Sequence, residues 1–362
     1  MSATRTAMPG AVARLLDGMD ARQPAALARA VSLVENRRAG ADALLAAIHP
    51  RINRARRIGI TGPPGAGKST ITSQISRHYR EAGLTVGIIA VDPTSPFSGG
   101  ALLGDRVRME QVALDPGVFI RSMATRGSLG GLSGATRDVC DVLDAFGFDR
   151  ILIETVGVGQ SELEVAHTAD TSAVVLVPES GDSIQTLKAG LMEIADVFVV
   201  NKADRPGADR LVHELELMLG LRAGNALKDV PAHHGVELKA ANPARRAREL
   251  AAADGSTNWT PPVLKSVGNQ GEGIVELITA LDRHFVYLEA SGVLRDRRRQ
   301  RLRERVRDAV AHRVRERLWE TSASGAWIEG ELAALESGRT SPLEVADALL
   351  ARSGPLLSGE TK

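Results

Sequence analysis

The octapeptide Gly62-Pro63-Pro64-Gly65-Ala66-Gly67-Lys68-Ser69 restricts this chain more than any other feature. It matches G-x-x-x-x-G-K-[ST], follows a short apolar run at Ile58–Thr61 and opens a stretch of helical character from Lys68 to about Ala82. Gly83 then stands where a helix C′ residue is expected. Strand, glycine turn and helix in that order make a phosphate cradle. The glycines let backbone N–H groups turn inward, and the helix dipole favours negative charge. Gly62, Pro63, Pro64, Gly65, Ala66, Gly67, Lys68, Ser69 and Thr70 form the predicted phosphate-binding set. Lys68 is expected to reach the β- and γ-phosphates, and the Ser69 hydroxyl to bind Mg²⁺.

From Arg57 onward the pattern is α/β. Apolar runs at Val86–Val91, Ile151–Ile153, Ala173–Val177, Val197–Val200 and Val263–Val267 are continuous rather than alternating, and helical stretches separate them. That predicts a mostly parallel sheet covered by helices on both faces, a P-loop NTPase architecture. Residues 1–50 read as helical, with Gln23-Pro24 dividing a first helix from a second. A final helix is expected around Gly273–Val286. After Glu289 the composition changes: eleven arginines fall between Arg295 and Arg317, while Leu302, Val306, Val310, Val314 and Leu318 recur every fourth residue. The expected organisation is a helical segment at 1–50, a nucleotide-binding domain at 51–288 and a helical extension at 289–362.

The run at Val197–Val200 leads into Asn201-Lys202-Ala203-Asp204, an N-K-x-D pattern. A carboxylate at Asp204 can accept two hydrogen bonds from the ring N–H and exocyclic amine of guanine. Adenine offers no matching donors. Asn201 and the Lys202 stem would hold the loop and pack on the base. Ser266 and Val267, at the end of the last predicted strand, stand where a backbone N–H could meet the guanine carbonyl.

Ile151–Ile153 leads into Glu154-Thr155-Val156-Gly157. The Glu154 carboxylate would hold Mg²⁺ directly or through water, and the Gly157 N–H would sense the γ-phosphate. Asp92 closes another buried run, at the strand end where α/β ligands bind. Asp105 lies on a glycine-rich loop of the kind used as a nucleotide switch. Lys68 and Glu154 are the expected catalytic groups, and Ser69 and Glu154 the expected metal ligands. Val158 follows Gly157 where other GTPases place a water-orienting glutamine. Valine cannot orient water, so slow intrinsic hydrolysis is expected unless a partner supplies the missing group.

Composition narrows the class further. With 45 basic against 44 acidic residues the net charge is +1, and aromatics are 3%, so neither nucleic acid nor an anionic membrane is called for. Cys140 is the single cysteine, which excludes an intrachain disulfide and argues against a metal-insertion site built on clustered thiols. No apolar run approaches the roughly 18 residues that span a bilayer. A cytoplasmic protein is expected.

Taken together, Gly62–Ser69, Val91-Asp92-Pro93, Ser98-Gly99-Gly100, Leu103-Gly104-Asp105-Arg106, the string from Glu154 to Glu162 and Asn201–Asp204 resemble the methylmalonyl-CoA mutase-associated GTPases (MeaB, in older naming ArgK). The resemblance covers roughly residues 10–330. It implies a GTP-hydrolysing chaperone that couples GTP/GDP state, with Mg²⁺, to cofactor loading and protection of an adenosylcobalamin-dependent acyl-CoA mutase. It also places the family's magnesium-linked acids on Asp92, Asp105 and Glu154, which with Ser69 complete the expected metal set and add Asp92 to the expected catalytic groups, and an additional switch segment on Asp182 to Lys188, including Gln185. It implies a homodimer built through the C-terminal helical extension. The chain shows no cobalamin-ligating D-x-H-x-x-G pattern of its own; Asp282-Arg283-His284 lacks the glycine. A metal-insertion GTPase and a nucleotide-gated scaffold with negligible hydrolysis remain the alternatives.

Overall fold

In the computed structural model the described residues are 10–93, 109–125, 131–155, 161–178, 190–222, 259–319 and 324–353. They form two compact units, Met1–Arg297 and Arg298–Lys362. The first is built on a sheet of seven parallel strands: β1 Arg56–Thr61, β2 Val86–Pro93, β3 Val118–Thr125, β4 Arg150–Thr155, β5 Thr171–Leu176, β6 Val197–Asn201 and β7 Val263–Ser266. Their order is β3-β2-β4-β1-β5-β6-β7. The strand leading into the glycine turn is therefore central, flanked by β4 and β5. Both neighbours are buried along nearly their whole length, which is why the sequence reads as unbroken apolar runs.

Helices cover both faces. On one side α4 (Lys68–Glu81) and α8 (Ile274–Ala290) pack on Ile58, Ile60, Ile88, Leu152, Ala173 and Val175. On the other, α5 (Gly131–Phe146) and α6 (Ser161–Thr168) pack on Ile89, Val91, Ile151 and Ile153. A third cluster joins α7 (Ala208–Arg222) to Val174, Leu176, Phe198 and Val200. The N-terminal segment is helical as expected: α1 (Gly10–Asp20), α2 (Pro24–Glu35) and α3 (Ala41–Ile48), with Pro24 at the start of α2. Val12, Leu16, Leu27, Ala30, Val31 and Leu44 join the same core as α5, so these helices form an outer layer over it.

A buried ion cluster joins α5 to β1 and to the segment that leads into it. Asp144, 1% exposed, accepts hydrogen bonds from the backbone N–H groups of Asn53 (2.7 Å), Arg54 (3.1 Å) and Ala55 (3.0 Å). The Arg57 guanidinium donates to Asp141 (2.7 Å) and Asp144 (3.3 Å). Burial works against the Arg57 charge, but Asp141, Asp170 and Asp144 overcome it and hold the group more firmly protonated than usual.

The sequence reading did not anticipate β3. Arg121 and Ser122 interrupt its apolar run, which fits its place at the edge of the sheet, where among the described residues no strand pairs with its outer side. Arg121 there pairs with Glu35 of α2. Beyond α8, α9 (Val293–Trp319) carries the arginine-rich stretch, followed by α10 (Ser324–Glu336) and α11 (Pro342–Arg352). Ser341 caps α11 through a reciprocal capping box with Glu344. In the middle of α9 the apolar stripe is solvent-facing, with Val306 63% and Val310 56% exposed, whereas Val314 is half-buried and Leu318 is buried. No helix among the described residues is long and apolar enough to cross a membrane.

Candidate nucleotide site

The C-terminal ends of β1, β2, β4 and β6 meet at one edge of the sheet, and the motif residues lie on the turns that leave them. Gly62 has φ +139°, and a Cβ there would stand 2.0 Å from the Val175 carbonyl oxygen. Gly67 has φ +85°, and its Cβ would stand 2.3 Å from Asn201 Nδ2. Only glycine fits either place, so the turn can pass close to β5 and to the N-K-x-D loop. Gly67 also serves as the N-cap of α4, which puts Lys68, Ser69 and Thr70 in the helix's first turn.

Lys68 is buried, with Nζ donating to the carbonyls of Gly62 (2.8 Å) and Pro63 (2.9 Å). The ammonium thus spans the mouth of its own loop, where phosphate oxygens are expected. The Ser69 hydroxyl donates to Glu154 Oε1 at 2.5 Å, with Ser69 8% and Glu154 2% exposed. This joins the α4 N-terminus to the end of β4, two predicted metal-site residues 85 positions apart. Asp92 lies at the end of the adjacent strand. The β2–β4 register pairs Ala90 with Glu154 and Val91 with Thr155, so Asp92 continues the same row of strand ends.

Asn201 ties the base loop to the phosphate loop. Its Nδ2 donates to Ala66 O (2.7 Å), and its Oδ1 accepts from Gly268 N (3.0 Å) and Ser266 Oγ (3.1 Å). Lys202 takes φ +55°, turning the chain sharply after β6, and Ala203 N donates to Ser266 O. Val267 pairs with Glu272 in a bridge that steadies the second half of this pocket. Asp204 is exposed on the loop, open to a base edge. Gly268 was not singled out in the sequence; glycine two residues beyond a strand-end serine was its one available signal. Asp105, Gly157, Val158, Asp182, Gln185 and Lys188 lie outside the described residues.

Comparison with known proteins decides the family. The model of the methylmalonyl Co-A mutase-associated GTPase MeaB family matches residues 27–323. The chain belongs to the MeaB family. Over 277 residues it is 49% identical to a putative GTPase of Pyrococcus horikoshii, spanning 76% of this chain and 78% of that one. It is 34% identical over 301 residues to the mouse protein called methylmalonic aciduria type A homolog, mitochondrial, covering 79% of this chain and 66% of that one. The crystal structure of an LAO/AO transport system kinase superposes with a TM-score of 0.62 at 28% identity, covering 94% of this chain and 97% of that one. This MeaB-family chain is accordingly a P-loop GTPase: it binds GTP and GDP and hydrolyses GTP.

Proposed function

We propose that this MeaB-family GTPase is a chaperone that couples its nucleotide state to adenosylcobalamin loading and protection of methylmalonyl-CoA mutase or a related acyl-CoA mutase. The observation that carries this reading is the family match across residues 27–323, which spans the whole nucleotide site. The mouse relative's name, tied to methylmalonic aciduria, supports the same substrate chemistry.

In this reading Ser69 and Glu154 are the inner Mg²⁺ pair, joined by Asp92 and Asp105. The fit is chemical: a hydroxyl and a carboxylate 2.5 Å apart offer hard oxygen donors in a buried corner. Bound Mg²⁺ would neutralise charge on the β- and γ-phosphates. Lys68 exchanges its loop carbonyls for phosphate oxygens. Asp204 accepts from the guanine edge, with Asn201, Ser266 and Val267 framing the base. Gly157 senses the γ-phosphate, and Asp182, Gln185 and Lys188 belong to a further switch. The exposed α9 stripe of Leu302, Val306 and Val310 supports a homodimer through the C-terminal extension.

The GTPase rate with and without purified methylmalonyl-CoA mutase tests the proposal. A rise on adding mutase, with a complex stable in a non-hydrolysable GTP analogue, is expected. An unchanged rate at saturating mutase, with no complex in any nucleotide, refutes it. Val158 favours a second reading, a nucleotide-gated scaffold that turns GTP over negligibly. Single-turnover hydrolysis with mutase present separates the two. Asp204→Asn tests the base site: GTP-over-ATP selectivity should fall at least tenfold.

A further inference from the structure

Two threonines stand where the central strands of the site diverge. The backbone register between β1 and β4 ends at Ile60↔Glu154. The next residue on each strand is Thr61 and Thr155, and their Oγ1 atoms lie 3.0 Å apart in a hydrogen bond. Both residues are 0% exposed. One step further, Gly62 opens the phosphate loop.

On their outer sides these residues have other neighbours: Thr61 pairs with Val174 of β5, and Thr155 with Val91 of β2. Between β1 and β4 themselves, the hydroxyl bond extends the pairing one residue past the backbone register. Successive side chains on a strand face opposite sides. The Glu154 carboxylate points toward α4 and Ser69, whereas Thr155 follows Ile153 toward the core shared with α5 and α6. The hydroxyl pair therefore sits behind the carboxylate, on the reverse face of the same strand end.

Valine would fill the same volume, and β-branched apolar residues dominate these strands. Burying two hydroxyls instead carries a desolvation cost that their mutual bond offsets. What the bond adds over an apolar contact is direction: it fixes the separation and rotation of the two strand ends. Those ends carry the phosphate loop and the Glu154 carboxylate.

We propose that the Thr61–Thr155 hydroxyl pair is a positioning clip that holds β1 and β4 in register at their tips and so sets the Ser69–Glu154 geometry that receives Mg²⁺. It rests on the reading of Ser69 and Glu154 as the Mg²⁺ pair. Thr61 and Thr155 act through these residues and touch neither nucleotide nor metal.

The test measures how Mg²⁺ slows release of a fluorescent GDP analogue, across a Mg²⁺ titration, in full-length protein. Thr155→Val, Thr61→Val, the double Thr→Val variant and Thr155→Ser are compared with the parent, with Glu154→Gln alongside. Each single valine variant should need about tenfold more Mg²⁺ for half-maximal slowing. GDP affinity in EDTA should stay within about twofold, and Thr155→Ser should match the parent, because its hydroxyl remains. The double variant leaves no orphaned hydroxyl and should regain the thermal stability lost in the singles, yet keep the raised Mg²⁺ demand. That split separates positioning from packing. If the parent and Glu154→Gln behave as the Mg²⁺ reading requires while all three valine variants match the parent, the clip is refuted and the Mg²⁺ reading stands. If Mg²⁺ does not slow GDP release from the parent, both fall together.

Discussion

Replacing Asn201 by alanine tests whether the base loop and phosphate loop work as one body. The side chain makes three hydrogen bonds: 2.7 Å to Ala66 O, 3.0 Å from Gly268 N and 3.1 Å from Ser266 Oγ. At about 1 kcal/mol net each, their loss amounts to about 3 kcal/mol. The groups set free belong to loops and regain water once the loops part, so most of the loss should appear as a loosened site rather than as global unfolding. Both GDP and GTP should therefore bind about 30- to 100-fold more weakly, at 1.4 kcal/mol per tenfold. The two factors should be equal, because Asn201 contacts the loop frame and not the end of the phosphate chain. Asn201→Asp separates the halves of the link. It keeps the acceptor for Gly268 and Ser266 but turns a carboxylate oxygen toward the Ala66 carbonyl, so it should rescue little. Isothermal calorimetry with both nucleotides reads the effect. GDP affinity within threefold of the parent in Asn201→Ala would show that the loops are held by other means.

Gly67→Ala places a Cβ 2.3 Å from Asn201 Nδ2 at a left-handed φ of +85°, so nucleotide binding should collapse while far-ultraviolet circular dichroism stays native. Asp144→Ala strands three backbone N–H groups while Arg57 keeps Asp141, and urea denaturation should report a loss of about 3–5 kcal/mol. His284 gives a pH dependence. Burial pushes its pKa from 6.5 down to about 4, outweighing Asp196 3.2 Å away, so the ring is neutral in the fold. Nδ1 then accepts from Thr171 Oγ1, and Nε2 lies 3.2 Å from Asp196 Oδ1 without a hydrogen bond between them. The unfolded chain binds the extra proton first, so this stability is present above pH 6.5 and is lost as pH falls toward 4. Between pH 7 and pH 5 the fold should lose about 2 kcal/mol that a His284→Phe variant does not lose. Urea midpoints at the two pH values measure the difference.

Legibility from sequence followed the range of the physical constraint. The phosphate loop was readable because eight consecutive residues carry it, each limited by local backbone geometry. The N-terminal helices were readable for the same reason, through their apolar spacing and Pro24. What the sequence hid were constraints shared between distant residues. Asp141 and Asp144, spaced i and i+3 on α5, resemble a solvated helix face. They are buried because Arg57 and the N–H groups of residues 53–55 arrive from elsewhere in the chain to meet them. The Asn201–Ala66 link joins residues 135 positions apart, and neither signals the other. Thr61 and Thr155 are the extreme case. As β-branched residues in buried strands they match valine in volume and periodicity, and a hydroxyl in either place has no local consequence. The pairing acquires meaning once the sheet order sets β4 beside β1, since that order brings the two hydroxyls together behind Glu154. A parallel sheet fixes such neighbours through crossovers far apart in sequence, so long-range polar pairs at strand tips are what a reading of local pattern misses.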